Sequence, residues 1–389
     1  MTTTSTVPKT DAVQGGNPLR GLLAYGQSPW LDFIRRNILL NGDLKKMIAD
    51  DGLRGMTSNP TIFEKAITGS DDYVDLLNAP EAKKLNAKGL YEQIAIRDVQ
   101  TAADIFRGVY DETKTRDGYV SLEVAPTLAN DTQGTMEEAR RLWKAVNREN
   151  LMVKVPATKE GIPAIRQLLE EGININITLL FAQSAYELVA EAYIAALEAR
   201  AAKGQDVSKI ASVASFFVSR IDSLIDSQID EKLKTETDPK KKELLSSVQG
   251  KVAIANARRT YAKYQELCAG PRWKALESKG AHTQRLLWAS TSTKNKKYRD
   301  VLYVEELIGK DTVDTIPPAT FDAFRNHGRL RNSLTENLPE ANKTMNDLEA
   351  AGISMKQVTE KLVVDGVKLF ADAFAQLIAA VEKHAGVRA

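Results

Sequence analysis

Short runs of apolar and β-branched residues recur along the chain, and most are followed by a stretch in which apolar residues return every three or four positions. The runs fall at 30–34 (WLDFI), 53–57 (LRGMT), 119–124 (YVSLEV), 151–156 (LMVKVP), 174–181 (NINITLLF), 212–218 (SVASFFV), 285–290 (RLLWAS) and, weakest, 311–316 (DTVDTI). Their length and near-continuous apolar character predict strands buried on both faces. Between them lie amphipathic helices. Ala185, Leu188, Val189, Ala192, Ala196 and Leu197 make one apolar face, and residues 135–146 make another, with Glu137 and Glu138 near the helix start, where carboxylates are favoured. Eight strand–helix units predict an α/β fold, a (β/α)8 TIM barrel with additional helices in insertions and at the C-terminus. An open doubly wound sheet has the same local signature, so it is the number of units that favours closure.

Two connections are longer than a simple crossover, 59–118 and 219–284, and the turn Thr237-Asp238-Pro239-Lys240 divides the second into separate helices. They read as helices inserted into one barrel domain spanning 1–389. Residues 1–15 are expected to be disordered. Residues 330–389 are expected to form a helical extension packed on the barrel. Val358, Leu362, Val363, Val367, Phe370, Phe374, Leu377 and Val381 give it a long apolar face, expected against the outer wall beside the first and last strands.

Composition narrows the function classes. The 389 residues are 43% hydrophobic, enough for a large core, and 53 Lys and Arg against 51 Asp and Glu leave a net charge of only +2. With no basic tail or aromatic-interleaved basic stripe, a nucleic-acid partner is not expected. No apolar stretch approaches the ~20 residues that span a bilayer, so no membrane partner is expected either. Cys268 is the only cysteine, and the first 15 residues lack the apolar run of a signal peptide; both fit a cytoplasmic protein. Monomer and homodimer are equally compatible with this sequence.

Charge inside the apolar runs is the feature that points to chemistry. Asp32 interrupts WLDFI, Glu123 interrupts YVSLEV and Lys154 interrupts LMVKVP. A charge on a barrel strand is costly to desolvate unless it is paired or used. One such residue could belong to a structural ion pair. Three of them, with Asn59, Thr178 and Ser215 at or near other strand ends, predict a polar pocket at the C-terminal mouth, where active sites of this architecture lie. Burial disfavours the ammonium of Lys154, although a nearby carboxylate opposes that effect. A neutral lysine amine attacks carbonyls to give an iminium, which makes C–C cleavage feasible without a metal. Asp32, Glu123, Thr178 and Ser215 have the chemistry to handle the protons, although small hydroxyl residues are also common in strands.

Arg220, just beyond SFFV, and Lys294, in the hydroxyl-rich loop Ser290-Thr291-Ser292-Thr293, suggest a cradle for a substrate phosphate. Either cation alone would ordinarily be solvated surface charge. There is no GxGxxG, GxxxxGK[ST] or HExxH motif, and His282, His327 and His384 are far apart, so neither a cofactor nor a metal is expected.

These residues lie in segments that resemble the transaldolase family, in its longer bacterial branch with helical insertions and a C-terminal tail. WLDFIRR, MTSNPTIFEKAI, SLEVAP, MVKVPAT, NITLLF and SFFVSRID occur in the family's order, and the agreement runs from about 20 to about 375. The resemblance implies that Lys154 forms the Schiff base and that Asp32 removes and returns the proton of the substrate C4 hydroxyl. Glu123 would act through a water with Thr178 in making and hydrolysing the imine, Asn59 would hold substrate hydroxyls and Ser215 would help position the chain. Arg220 matches a phosphate-binding arginine. Shorter members carry a second one in a loop reading ASFRN; here the loop reads ASTSTKN, putting Lys294 where an arginine's bidentate fork would be. The implied reaction moves a dihydroxyacetone unit from a ketose phosphate (fructose 6-phosphate or sedoheptulose 7-phosphate) to an aldose phosphate (erythrose 4-phosphate or glyceraldehyde 3-phosphate). The alternative is a metal-free Schiff-base fructose 6-phosphate aldolase.

Overall fold

In the computed structural model, which describes residues 16–385, all eight expected strands form and close into one parallel barrel in sequence order. They are β1 (Gln27–Asp32), β2 (Gly55–Thr57), β3 (Tyr119–Glu123), β4 (Leu151–Pro156), β5 (Ile175–Leu180), β6 (Ser212–Phe217), β7 (Arg285–Ala289) and β8 (Thr312–Ile316). Closure pairs Leu31 of β1 with both Met56 of β2 and Ile316 of β8. Every residue of β4 to β8 is buried, as strands flanked by a filled barrel and an outer ring of helices must be. The disorder expected for residues 1–15 falls outside the described residues.

β1 begins three residues before the apolar run that announced it. Gln27, Ser28 and Pro29 look like a turn in sequence, yet they are buried strand. Gln27 donates to the Leu307 carbonyl at 2.6 Å and to Thr312 at 3.0 Å. The β1–β2 ladder starts only at Trp30, so the missing N–H of Pro29 leaves no gap in it. Ser28 joins a second buried charge group at the barrel's N-terminal end. Arg285 donates to Asp117 at 2.8 Å and to Ser28 at 2.8 Å, and Ser28 donates to Asp117 at 2.9 Å. Lying at the end opposite the mouth, these groups fasten β1, β3 and β7 together.

Asp314 on β8 is fully buried; Thr291 donates to its Oδ1 at 3.0 Å, and its Oδ2 has no hydrogen-bond partner among the described residues. Burial pushes its carboxyl up to about 8, while the Thr291 hydroxyl pulls the other way. The folded protein therefore holds a proton that the unfolded chain releases near pH 4, and this contribution to stability is lost as pH rises from about 4 to about 8. Asp314→Asn should remove the dependence. Its melting temperature is expected to match the parent near pH 4 and to exceed it at pH 8, the gap widening by at most about 1.4 kcal/mol per pH unit. Parallel melting curves across that range would show that Asp314 is not the group responsible.

The insertions are helical. The first contains Pro60–Thr68 and the long Ala87–Glu112, and the second contains Ser219–Thr235, Pro239–Val248, Val252–Ala269 and Pro271–Glu277. The expected break falls at Asp238, whose carboxylate caps the next helix by accepting from the Lys240 backbone N–H at 2.9 Å. The tail forms Leu338–Ala350 and a 31-residue tail helix, Met355–Ala385.

That tail helix does not lie beside β1 and β8. It crosses the C-terminal side of the barrel, against Pro60–Thr68, Ala87–Glu112, the N-terminal part of Ser219–Thr235 and the end of β5. A knob and a notch help to seat it. Leu179 has φ +61°, where the β5–β6 register shifts, and a Cβ on Gly366 would stand 2.9 Å from Leu179 Cδ2. Periodicity identified the apolar face but carried no information about which surface would receive it. No described helix is long and apolar enough to cross a membrane.

Candidate active site

The strand ends bring seven of the eight candidate residues around one cavity of about 360 Å³ at the C-terminal mouth. Asp32 ends β1, Asn59 follows β2, Lys154, Thr178 and Ser215 stand on β4, β5 and β6, Arg220 opens the helix after β6, and Lys294 lies in the loop after β7. The eighth, Glu123, ends β3 in direct register with Lys154 and sits behind it, lining a much smaller adjoining cavity. A roomier groove of about 610 Å³ on the outer wall, near Phe33, Met47 and Phe321, contains none of these strand-borne groups.

Lys154 Nζ stands 3.7 Å from Glu123 Oε2, with both side chains almost wholly buried, and donates to the Ser58 carbonyl at 3.3 Å. Burial raises the Glu123 carboxyl above its ordinary value, and the adjacent ammonium opposes that rise. Glu123 is thus inclined to hold a proton more firmly than a surface glutamate, as a general acid–base group requires. Its Oε2 and the Thr178 hydroxyl are both buried and lack a protein hydrogen-bond partner among the described residues. Such groups remain free to bind water or substrate.

Asp32 is held by Thr57, whose hydroxyl donates to Oδ1 at 2.9 Å. Asn59 caps the helix Pro60–Thr68, its Oδ1 accepting from the Ile62 N–H at 3.0 Å, and its Nδ2 has no hydrogen-bond partner among the described residues. Ser215 donates to Asn176 Oδ1 at 2.6 Å, and Asn176 donates onward to Ser121 at 3.0 Å. Asn176 is the register partner of Lys154, so this chain forms a polar layer linking β3, β5 and β6 at the level of the lysine. The sequence reading passed over Asn176 and Thr57. Asn176 stands two positions before Thr178 and Thr57 two before Asn59, the same-face spacing of an extended chain, and that was the signal that could have found them.

The cations gather on the other side. Arg220, Lys294 and Lys65, the last not anticipated, line the cavity together. Burial depresses the Lys294 ammonium most, Arg220 and Lys65 depress it further, and Asp32 partly compensates. Burial likewise lowers Arg220, with Asp32 opposing. Three cations and one carboxylate leave this side of the cavity with an excess of positive charge, and a bound anion would relieve the cations' mutual repulsion. The hydroxyl cradle expected around Lys294 is only partly present. Ser292 accepts from Lys294 Nζ at 2.7 Å and Ser290 pairs with Ser219 at 2.9 Å, but Thr291 turns away to satisfy Asp314. Among the described residues no group of three or more His, Cys, Asp or Glu side chains is placed to hold a metal ion.

Comparison with known proteins places the chain in a family. The sequence model described as Transaldolase/Fructose-6-phosphate aldolase matches residues 29–381. A protein named transaldolase from Trichodesmium erythraeum is 51% identical over 94% of this chain and 97% of its own length. Transaldolase 2 of Nostoc punctiforme is 46% identical over the same shares. A transaldolase of Frankia alni is 43% identical over 95% of this chain and 98% of its own. A family match across nearly the whole barrel, with relatives of this similarity end to end, means that the chain belongs to the transaldolase/fructose-6-phosphate aldolase family.

Proposed function

We propose that the protein transfers a dihydroxyacetone unit between sugar phosphates through a Schiff base on Lys154. The observation that carries the reading is the buried lysine 3.7 Å from Glu123, in a mouth that also holds Asp32 and a cluster of cations. The Lys154 amine adds to the C2 carbonyl of a ketose phosphate, and the carbinolamine loses water to become an iminium. Glu123 and Thr178, each with a buried oxygen that has no hydrogen-bond partner among the described residues, manage the proton and the water in that step. Asp32 takes the C4 hydroxyl proton, the C3–C4 bond breaks, and its electrons move into the iminium to leave an enamine on the lysine. The aldose phosphate departs. A second aldose phosphate accepts the enamine carbon, Asp32 returns the proton, and water releases the new ketose phosphate.

Asn59 and Ser215 orient the sugar chain, and Arg220 with Lys294 holds the phosphate. Lys294 acts there as a point charge, without an arginine's paired donors. The chain works as one barrel domain in the cytoplasm, a setting in keeping with its single cysteine.

Incubation with fructose 6-phosphate followed by borohydride reduction tests the mechanism. The reduced dihydroxyacetone adduct is expected on the peptide containing Lys154, and a label on another lysine would overturn the assignment. With saturating erythrose 4-phosphate, transfer product should exceed free dihydroxyacetone. The reverse ratio would make the protein an aldolase.

A further inference from the structure

Phe370 belongs, by its spacing, to the apolar packing face of the tail helix, yet it is one of the residues that line the active-site cavity. Its ring centroid is 5.7 Å from the Arg220 Cζ and 6.0 Å from the Lys154 Nζ. Arg220 is covered from a second side by Phe217 at the end of β6, 5.2 Å away. No hydrogen bond or ion pair ties the Arg220 guanidinium to any described residue; these two rings are its close partners. The two cations that must engage opposite ends of one substrate thus meet the same ring. Their separation cannot exceed the sum of the two distances.

We propose that Phe370 is a positioning residue, a contribution of the tail helix to the active site that holds Arg220 in place for the substrate phosphate. The physical basis is the attraction of a cation to an aromatic face, which strengthens when water is excluded. A guanidinium packed against two rings keeps its N–H edge for a ligand instead of spending it on the protein. Free of ring contacts, the same side chain would sample several rotamers and would have to be ordered when substrate binds. The helix is set at the required height by the seat of Gly366 on Leu179, one turn before Phe370. Leu179 directly follows Thr178, so the residue that seats the helix adjoins a residue of the proposed chemistry. This inference rests on the reading of Lys154 as the Schiff-base lysine and Arg220 as the phosphate ligand.

The test separates phosphate recognition from lysine chemistry. Fructose 6-phosphate reports both, whereas unphosphorylated dihydroxyacetone, trapped on the enzyme by borohydride, reports the lysine alone. Phe370→Leu and Phe370→Met each keep apolar bulk but remove the ring. Both are expected to raise KM for fructose 6-phosphate about tenfold, equivalent to about 1.4 kcal/mol. The inhibition constant of inorganic phosphate should weaken in parallel, while kcat and the rate of labelling by dihydroxyacetone change by less than about threefold. Phe370→Tyr, which keeps the ring, should restore KM. Measuring both Leu and Met variants guards against one that misfolds, with thermal melting as the check. An unchanged KM, equal losses with both reagents, or no rescue by tyrosine would overturn the proposal. Arg220→Ala is measured alongside. If it weakens phosphate inhibition while the ringless variants do not, Phe370 alone is misassigned. If it leaves phosphate inhibition intact, the phosphate reading of Arg220 falls, and this inference falls with it.

Discussion

Lys154→Ala is expected to slow ketose cleavage by on the order of 10⁴-fold or more, to the level left by binding alone. No second described lysine stands on a barrel strand; Lys65 and Lys294 line the same cavity from the helix after β2 and the loop after β7, not from a strand beside Glu123. The variant should also change stability in a way that depends on pH. In the parent, Glu123 has a buried cation 3.7 Å away; in the variant its carboxylate is buried without one. Removing one partner from such a pair costs about 3 kcal/mol or more while the remaining group stays charged. Burial already raises the Glu123 carboxyl, and losing the ammonium removes the influence that opposed it. Protonation then relieves the cost, so the deficit should be large at pH 8 and shrink as pH falls toward 5. Lys154→Ala with Glu123→Gln should recover most of the stability and none of the activity. Cleavage near the parental rate would end the Schiff-base reading. A deficit of equal size at both pH values would show that the pair is not coupled as its geometry implies.

Asp32→Ala is expected to separate imine formation from carbon–carbon cleavage. In the proposed mechanism the proton it removes belongs to the C4 hydroxyl, a step after the iminium has formed. Borohydride trapping by fructose 6-phosphate should therefore persist while the release of aldose phosphate falls by roughly 10²-fold or more, the loss typical of a positioned acid–base group. Asp32 is also the carboxylate that offsets the crowding of Arg220 and Lys294. Removing it leaves that side of the cavity more positive, so KM for the phosphorylated ketose should hold steady or fall. A variant that traps poorly and also has a raised KM would show that Asp32 mainly shapes the site. The hydroxyl of Thr57, 2.9 Å from Asp32, gives a graded check: Thr57→Val should lower cleavage in the same sense but less severely.

Much of this arrangement could be read along the chain. β4 was legible to the residue because its apolar run is continuous and contains one charge, and every other strand was located to within a few residues. Charges set in apolar runs picked out Asp32, Glu123 and Lys154, because a desolvated charge needs a reason to be there. The start of β1 was not legible. Gln27 and Ser28 are polar, and the side-chain partners they find among the described residues, Leu307, Thr312, Asp117 and Arg285, are far away in sequence. Asp314 and Arg285 interrupt β8 and β7 just as Lys154 interrupts β4, yet one faces away from the mouth and the other lies at the far end of the barrel.

By itself the sequence determined the elements, their order and the chemical character of the site, because hydrophobic periodicity and charge placement are local properties of a chain. Tertiary structure alone decided that Glu123 stands behind Lys154, that Thr291 serves Asp314 and that Lys65 joins Arg220 and Lys294 at the cavity. It also decided that the tail helix crosses the mouth, where Phe370 meets Arg220. Those outcomes follow from barrel closure and from a notch at Gly366 that fits Leu179. Contacts of that kind are made between segments far apart in the chain, so no local pattern encodes them.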